Sequence, residues 1–123
     1  MKTNLMLVED HADTRAVLAR ILRKKGYEVF AVGTGEDALK LALKIKFDLV
    51  IMDHGLPDGD GCKFMRTLHR VNGLEGIALT AYAYESDERL SRKAGFLAHL
   101  SKPVNVEELY EAIERNLPLQ MKA

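Results

Sequence analysis

The sequence is short of cysteine, proline and tryptophan, with one, three and none of them among 123 residues. A single thiol, Cys62, rules out an internal disulfide and suits a reducing compartment. Cys62 opens a predicted helix, where it reads as a small apolar residue rather than a nucleophile. No apolar run reaches the length that a membrane-spanning helix needs, and the run after Met1-Lys2-Thr3-Asn4 is too short for a signal peptide. An excess of either charge is also missing. Eighteen Lys and Arg balance eighteen Asp and Glu, for a formal net charge of zero. The basic residues are spread along the chain, which argues against the clustered cationic face that nucleic acid requires. The expectation is a soluble cytoplasmic domain with no nucleic-acid partner and no direct membrane contact. Its length fits a single domain over residues 1–123.

What is present is an alternation of short apolar runs and amphipathic stretches. Leu5 to Val8 reads as a buried strand that stops at Glu9-Asp10. A helix follows from Asp13 to Lys25, with Val17, Leu18, Ile21 and Leu22 on one face and Gly26 past its end. Tyr27 to Val32 is a second strand. Thr34 and Asp37 make a capping-box-like pair before the stripe Ala38, Leu39, Ala42 and Leu43. Asp48 to Met52 is a third strand ending at Asp53, and His54 to Gly61 is a glycine-rich loop. Phe64, Met65 and Leu68 mark a short third helix. Ile77 to Leu79 is a fourth strand ending at Thr80. Glu85 to Ala94 is a polar helix, with Leu90 nearly its only large apolar residue. Phe96 to Leu100 leads into Ser101-Lys102-Pro103, and Asn105 and Glu108 then cap a helix carrying Val106, Leu109, Tyr110, Ile113 and Leu117. The tail after Pro118 is expected to be loose. Strands separated by helices imply right-handed crossovers and a parallel sheet covered on both faces.

The strand ends carry the chemistry. In an open parallel sheet they share one edge, where ligands bind. Glu9, Asp10, Asp53, Thr80 and Lys102 would converge there. Carboxylates brought together repel, and a hard divalent cation such as Mg²⁺ (or Mn²⁺) removes that cost. Lys102 adds a fixed positive charge and Thr80 a hydroxyl. Acceptors for a metal, a cation and a hydroxyl together describe a site for phosphoryl chemistry, which needs positioning and charge neutralisation. Asp53, after the most apolar strand and before a glycine-rich loop, is the best candidate nucleophile; its attack on phosphorus would give an acyl phosphate. Each residue also has an ordinary use: an acidic pair can start a helix, Asp suits turns, and a lysine can be a solvated surface charge. The combination at strand ends carries the reading.

The motifs Leu7-Val8-Glu9-Asp10, Asp48 to Asp53, Leu56-Pro57-Asp58-Gly59-Asp60-Gly61, Leu79-Thr80-Ala81 and Ser101-Lys102-Pro103 resemble, in order and across essentially the whole chain, the receiver domain of two-component response regulators. The resemblance implies a flavodoxin-like, doubly wound (βα)5 α/β fold with a five-stranded parallel sheet of order 2-1-3-4-5. It implies Asp53 as phosphoacceptor, Glu9 and Asp10 as the acidic pair for Mg²⁺, and Gly55 as a backbone-carbonyl ligand. Thr80 and Lys102 would contact the phosphoryl oxygens, Ala81 would keep the site open, and Lys102-Pro103 would be cis. The family's switch position, usually Tyr or Phe, is His99 here. Tyr82 would flank the route to Asp53. The implied donor is a histidine kinase or a histidine phosphotransfer domain. Three local stretches, around His54, Thr80 and Lys102, resemble the C-terminal receivers of hybrid sensor histidine kinases; the alternative is a stand-alone regulator.

Three other classes stay in view. Haloacid-dehalogenase-type phosphatases also use a strand-end Asp with Thr/Ser, Lys and Mg²⁺, but need a second Asp two residues on, where this chain has Gly55. Receiver-like binding modules that are not phosphorylated usually lose one of the acidic, Thr or Lys positions, all kept here. A nucleotide-binding flavodoxin-like domain would want a glycine-rich phosphate loop after the first strand. His11, His54 and His69 show no ligand spacing for zinc.

Overall fold

The structure, a computed structural model, describes residues 2–81 and 88–117; the side chains of Glu88 and Leu90 also lie outside the described part. The strands are β1 (Asn4–Val8), β2 (Glu28–Val32), β3 (Leu49–Asp53), β4 (Gly55–Leu56), β5 (Gly59–Asp60), β6 (Gly76–Thr80) and β7 (Phe96–Ser101). The helices are α1 (Ala12–Lys24), α2 (Gly35–Lys44), α3 (Gly61–Asn72), α4 (Glu88–Ala94) and α5 (Val106–Asn116). Five parallel strands form one sheet in the order β2-β1-β3-β6-β7. Leaving aside the two-residue strands β4 and β5, this is the expected order 2-1-3-4-5. The chain is an α/β, flavodoxin-like fold.

The continuous apolar runs follow from burial on both faces of the sheet. Successive side chains of a strand point to opposite faces. Leu5, Leu7, Leu49, Ile51, Ile77 and Leu79 therefore join α1 and α5 in one core. Met6, Val8, Val50, Met52 and Ala78 join α2, α3 and Ala94 of α4 in a second. Each large side chain buried this way contributes about 1.5–3 kcal/mol.

The caps hold where predicted: Thr34 Oγ1 accepts from Asp37 N at 3.0 Å and Asn105 Oδ1 from Glu108 N at 3.0 Å. Gly26 (φ 107°) and Gly73 (φ 69°) follow helices in the left-handed region that glycine tolerates. Several expectations need correction. Val17 (57% exposed) and Leu43 (78% exposed) point to solvent, since the buried stripes of α1 and α2 are narrower than the apolar pattern. The third helix is twelve residues long rather than short, because Asp60 caps it and it runs on to Asn72. The loop after Asp53 contains the small antiparallel ladder β4–β5. The predicted start of the fourth helix at Glu85, Tyr82 and the tail after Pro118 lie outside the described residues.

Candidate functional site

The carboxyl ends of β1, β3, β6 and β7 meet at one edge. Glu9 follows β1 and is fully buried; Asp53 ends β3 and is 6% exposed; Thr80 ends β6 and is 5% exposed. Lys102 follows β7, and its peptide to Pro103 is cis. The Lys102 ammonium donates to Glu9 Oε1 and to Asp53 Oδ2, each at 2.7 Å. Residues 9, 53 and 102 are thus one ion-paired cluster. Parallel pairing sets this up: β6 pairs with β3 and β7, and Lys102 N donates to the Thr80 carbonyl at 2.8 Å.

The electrostatics follow from burial. Desolvation holds the Glu9 carboxyl above its ordinary value, opposed by the Lys102 ammonium and by the His11 N–H, which donates to Oε2 at 3.0 Å. Burial works to lower Lys102, but its bonds to Asp53 and Glu9 outweigh that and raise it, so it is a fixed cation. Asp53 Oδ1 accepts from Gly55 N at 3.1 Å. Gly61 lets α3 pack against this turn: a Cβ there would sit 2.6 Å from the Asp53 carbonyl oxygen.

Glu9, Asp10 and Asp53 bring carboxylate oxygens within 4.8 Å of one another. This all-oxygen donor set fits a hard divalent cation. Both Glu9 oxygens are already engaged, whereas Asp10 is exposed to solvent, so Asp10 and Asp53 are the better placed of the three to reach an ion. Gly55 is also exposed. Ala81 is exposed beside Thr80 and adds no bulk at the edge. An open, mostly apolar groove runs from Lys102, Pro103, Val104 and Val106 to Asp13, Val17 and Ile21 of α1. His99 lies on β7, with Nε2 2.9 Å from Ser91 Oγ.

Five contributors were not legible from the sequence. Arg15 Nη1 donates to the Glu9 carbonyl at 2.9 Å and holds the end of β1. Gly33 leaves it room, since a Cβ there would lie 2.7 Å from that nitrogen. Asp58 accepts from Gly35 N (3.0 Å) and Glu36 N (2.9 Å), tying the loop after Asp53 to the start of α2. His11 caps α1 by accepting from Thr14 N at 3.3 Å. Ser91 is a fully buried hydroxyl. Backbone-directed contacts of this kind leave no periodic signal. Folding also brings His54, the one histidine of the group, together with Asp60 and Cys62, their ligating atoms within 4.8 Å of one another. The Cys62 sulfur lies 3.5 Å from His54 Nε2, and burial pushes the thiol up, away from the thiolate a nucleophile needs.

Comparison with known proteins places the chain in a family. Residues 5–114 match the response regulator receiver domain. Sporulation initiation phosphotransferase F of Bacillus subtilis is 29% identical over 98% of this chain and 98% of its own length. The KDP operon transcriptional regulatory protein KdpE of Escherichia coli is 40% identical over 87% of this chain, but the match spans 48% of KdpE. Among solved structures, the receiver domain of sensor histidine kinase PA1611 from Pseudomonas aeruginosa, with a magnesium ion coordinated in its active-site cleft, superposes with a TM-score of 0.83. It is 33% identical, over 94% of this chain and 97% of that one. The chain belongs to the response regulator receiver domain family.

Proposed function

We propose that Asp53 accepts a phosphoryl group from a phosphohistidine of a histidine kinase or histidine phosphotransfer domain. The observation that carries this reading is the Lys102 ammonium held 2.7 Å from the Asp53 carboxylate, with Glu9 as its second anchor. In the transfer an Asp53 oxygen attacks phosphorus, the donor's N–P bond breaks, an O–P bond forms, and the electron pair leaves on the imidazole nitrogen. Lys102 neutralises the incoming phosphoryl oxygens while Glu9 keeps it in place, and the Thr80 hydroxyl donates to them. Asp10 and Asp53, with the Gly55 carbonyl, would hold Mg²⁺, which supplies charge neutralisation when bound. Ala81 leaves the phosphoryl room, Tyr82 shields it, and His99 is the switch residue. The apolar groove over α1 lies beside Lys102 and offers the donor a docking face.

The 33% identity to the PA1611 receiver supports a place within a hybrid sensor histidine kinase, which would put the domain in the cytoplasm. End-to-end likeness to sporulation initiation phosphotransferase F supports a stand-alone regulator instead. A kinase core encoded upstream of residue 1 would decide for the former, and its absence for the latter.

Incubation with acetyl phosphate and Mg²⁺, followed by intact mass, tests the acceptor reading. Wild type should gain one phosphoryl group, while Asp53→Asn and a chelator-treated sample should not. Catalytic release of phosphate from small esters would point to a phosphatase. Gain by Asp53→Asn would place the acceptor elsewhere.

A further inference from the structure

Beneath the site, four side chains join three elements. Ser91 of α4 is fully buried, and its Oγ lies 2.9 Å from His99 Nε2 on β7 and 3.6 Å from Cys62 Sγ on α3. Cys62 Sγ in turn lies 3.5 Å from Nε2 of His54, the residue after Asp53. The Phe96 ring packs between the two histidines, with centroids 6.4 Å from His54 and 6.1 Å from His99. A buried hydroxyl facing two polar partners is a specific arrangement, since serine is mostly exposed and a buried polar group without a partner costs stability.

The chain of contacts admits one consistent direction. A carboxylate only accepts. Asp60 Oδ1 lies 3.8 Å from His54 Nδ1, and with the ring's proton on Nδ1 the His54 Nε2 would accept from the Cys62 thiol. Burial keeps Cys62 protonated and therefore a donor. Its sulfur would then accept from the Ser91 hydroxyl, and Ser91 Oγ from a proton on His99 Nε2. In that arrangement every donor would point from the switch position toward the turn after the phosphoacceptor, and serial bonds of this kind polarise one another.

We propose that Ser91 is the positioning residue of the switch: its buried hydroxyl holds the His99 ring and links it, through Cys62, to His54 beside Asp53. This rests on the receiver reading above and gives the switch a route through α3 and α4. It also accounts for a histidine at residue 99: its ring nitrogen meets the Ser91 hydroxyl, which a phenylalanine could not do.

The test uses the full chain labelled with nitrogen-15, in Mg²⁺, with the histidine ring nitrogens read by long-range proton–nitrogen correlation. Spectra are taken before and during exposure to acetyl phosphate, with intact mass in parallel. In the wild type His99 should carry its proton on Nε2, and its ring resonances should shift on phosphorylation. In Ser91→Ala the resting His99 resonances should move and the phosphoryl-dependent shift should be lost, while the mass still gains one phosphoryl group. Ser91→Thr, which keeps the hydroxyl, should restore both. Unchanged His99 resonances in Ser91→Ala would overturn the proposal. If that variant does not fold, Cys62→Ala decides: His54 and His99 should move together, and a His99 ring indifferent to it overturns the link. Absence of phosphoryl gain in the wild type would instead overturn the acceptor reading, and the resting spectra would still judge Ser91.

Discussion

At the scale of single residues, the site is a balance between a buried carboxylate and the Lys102 ammonium bonded to it. Glu9 is fully buried and Lys102 answers its charge, together with that of Asp53. Removing one partner of such a pair leaves the other charge uncompensated. Lys102 keeps 27% of its side chain in solvent, which reduces the effect, so Lys102→Ala should cost about 1–3 kcal/mol in urea unfolding without metal. Mg²⁺ should recover more stability in that variant than in the wild type. A variant as stable as the wild type would show that Glu9 is protonated in the fold. Asp58 gives a second prediction. Hydrogen bonds from Gly35 N and Glu36 N hold its carboxyl below its ordinary 3.8. A lowered pKa contributes stability that is present above the ordinary value and lost as pH falls through the folded value. Asp58→Asn should therefore unfold at lower urea than the wild type at neutral pH, and the gap should close as acid protonates the wild-type Asp58. A gap that persists in acid would mean that neutral hydrogen bonds, rather than charge, carry the contact.

At the scale of elements, the approach of α3 to β3 sets the site. Gly61 begins α3, and its N–H donates to the His54 carbonyl at 2.8 Å. A Cβ at this glycine would lie 2.6 Å from the Asp53 oxygen and 3.1 Å from the His54 Cα, both backbone atoms that cannot give way cheaply. Gly61→Ala should cost about 1–3 kcal/mol, as overpacking does, and should slow phosphoryl gain by displacing the Asp53 turn. Gly55→Ala, where a Cβ meets nothing within 4 Å, should leave unfolding unchanged. Equal losses in both would attribute the effect to backbone freedom rather than to packing. The fourth helix is a different kind of element. It is described over Glu88–Ala94. Its described buried side chains are Ser91 and Ala94. Amide hydrogen exchange should show α4 opening at a much lower free energy than β3 or β6, both buried along their whole length; equal protection in all three would contradict this.

At the scale of the whole molecule, two apolar cores clamp one sheet and leave its carboxyl edge free for chemistry. Much of this was legible in the sequence. A strand buried on both faces must be apolar throughout, so Leu5 to Val8 and Leu49 to Met52 stand out, and the polar residues that end them stand out with them. Helical stripes were legible in place but not in width. Val17 and Leu43 continue the apolar spacing but fall beyond the sheet's cover. Cross-chain contacts to backbone were not legible, because the partner atoms are the same in every residue. Arg15 on the Glu9 carbonyl and Asp58 on the Gly35 and Glu36 N–H groups are such cases. Ser91 was hidden for another reason: a serine on a polar helix gives no sign that the fold buries it.

Chemical trapping reads directly whether Asp53 is the acceptor. Borohydride reduces an aspartyl phosphate to homoserine, which peptide mass spectrometry can locate. After acetyl phosphate and Mg²⁺, the account predicts homoserine at Asp53 alone. Homoserine at Asp10 or elsewhere, or a phosphorylated protein with none, would contradict it.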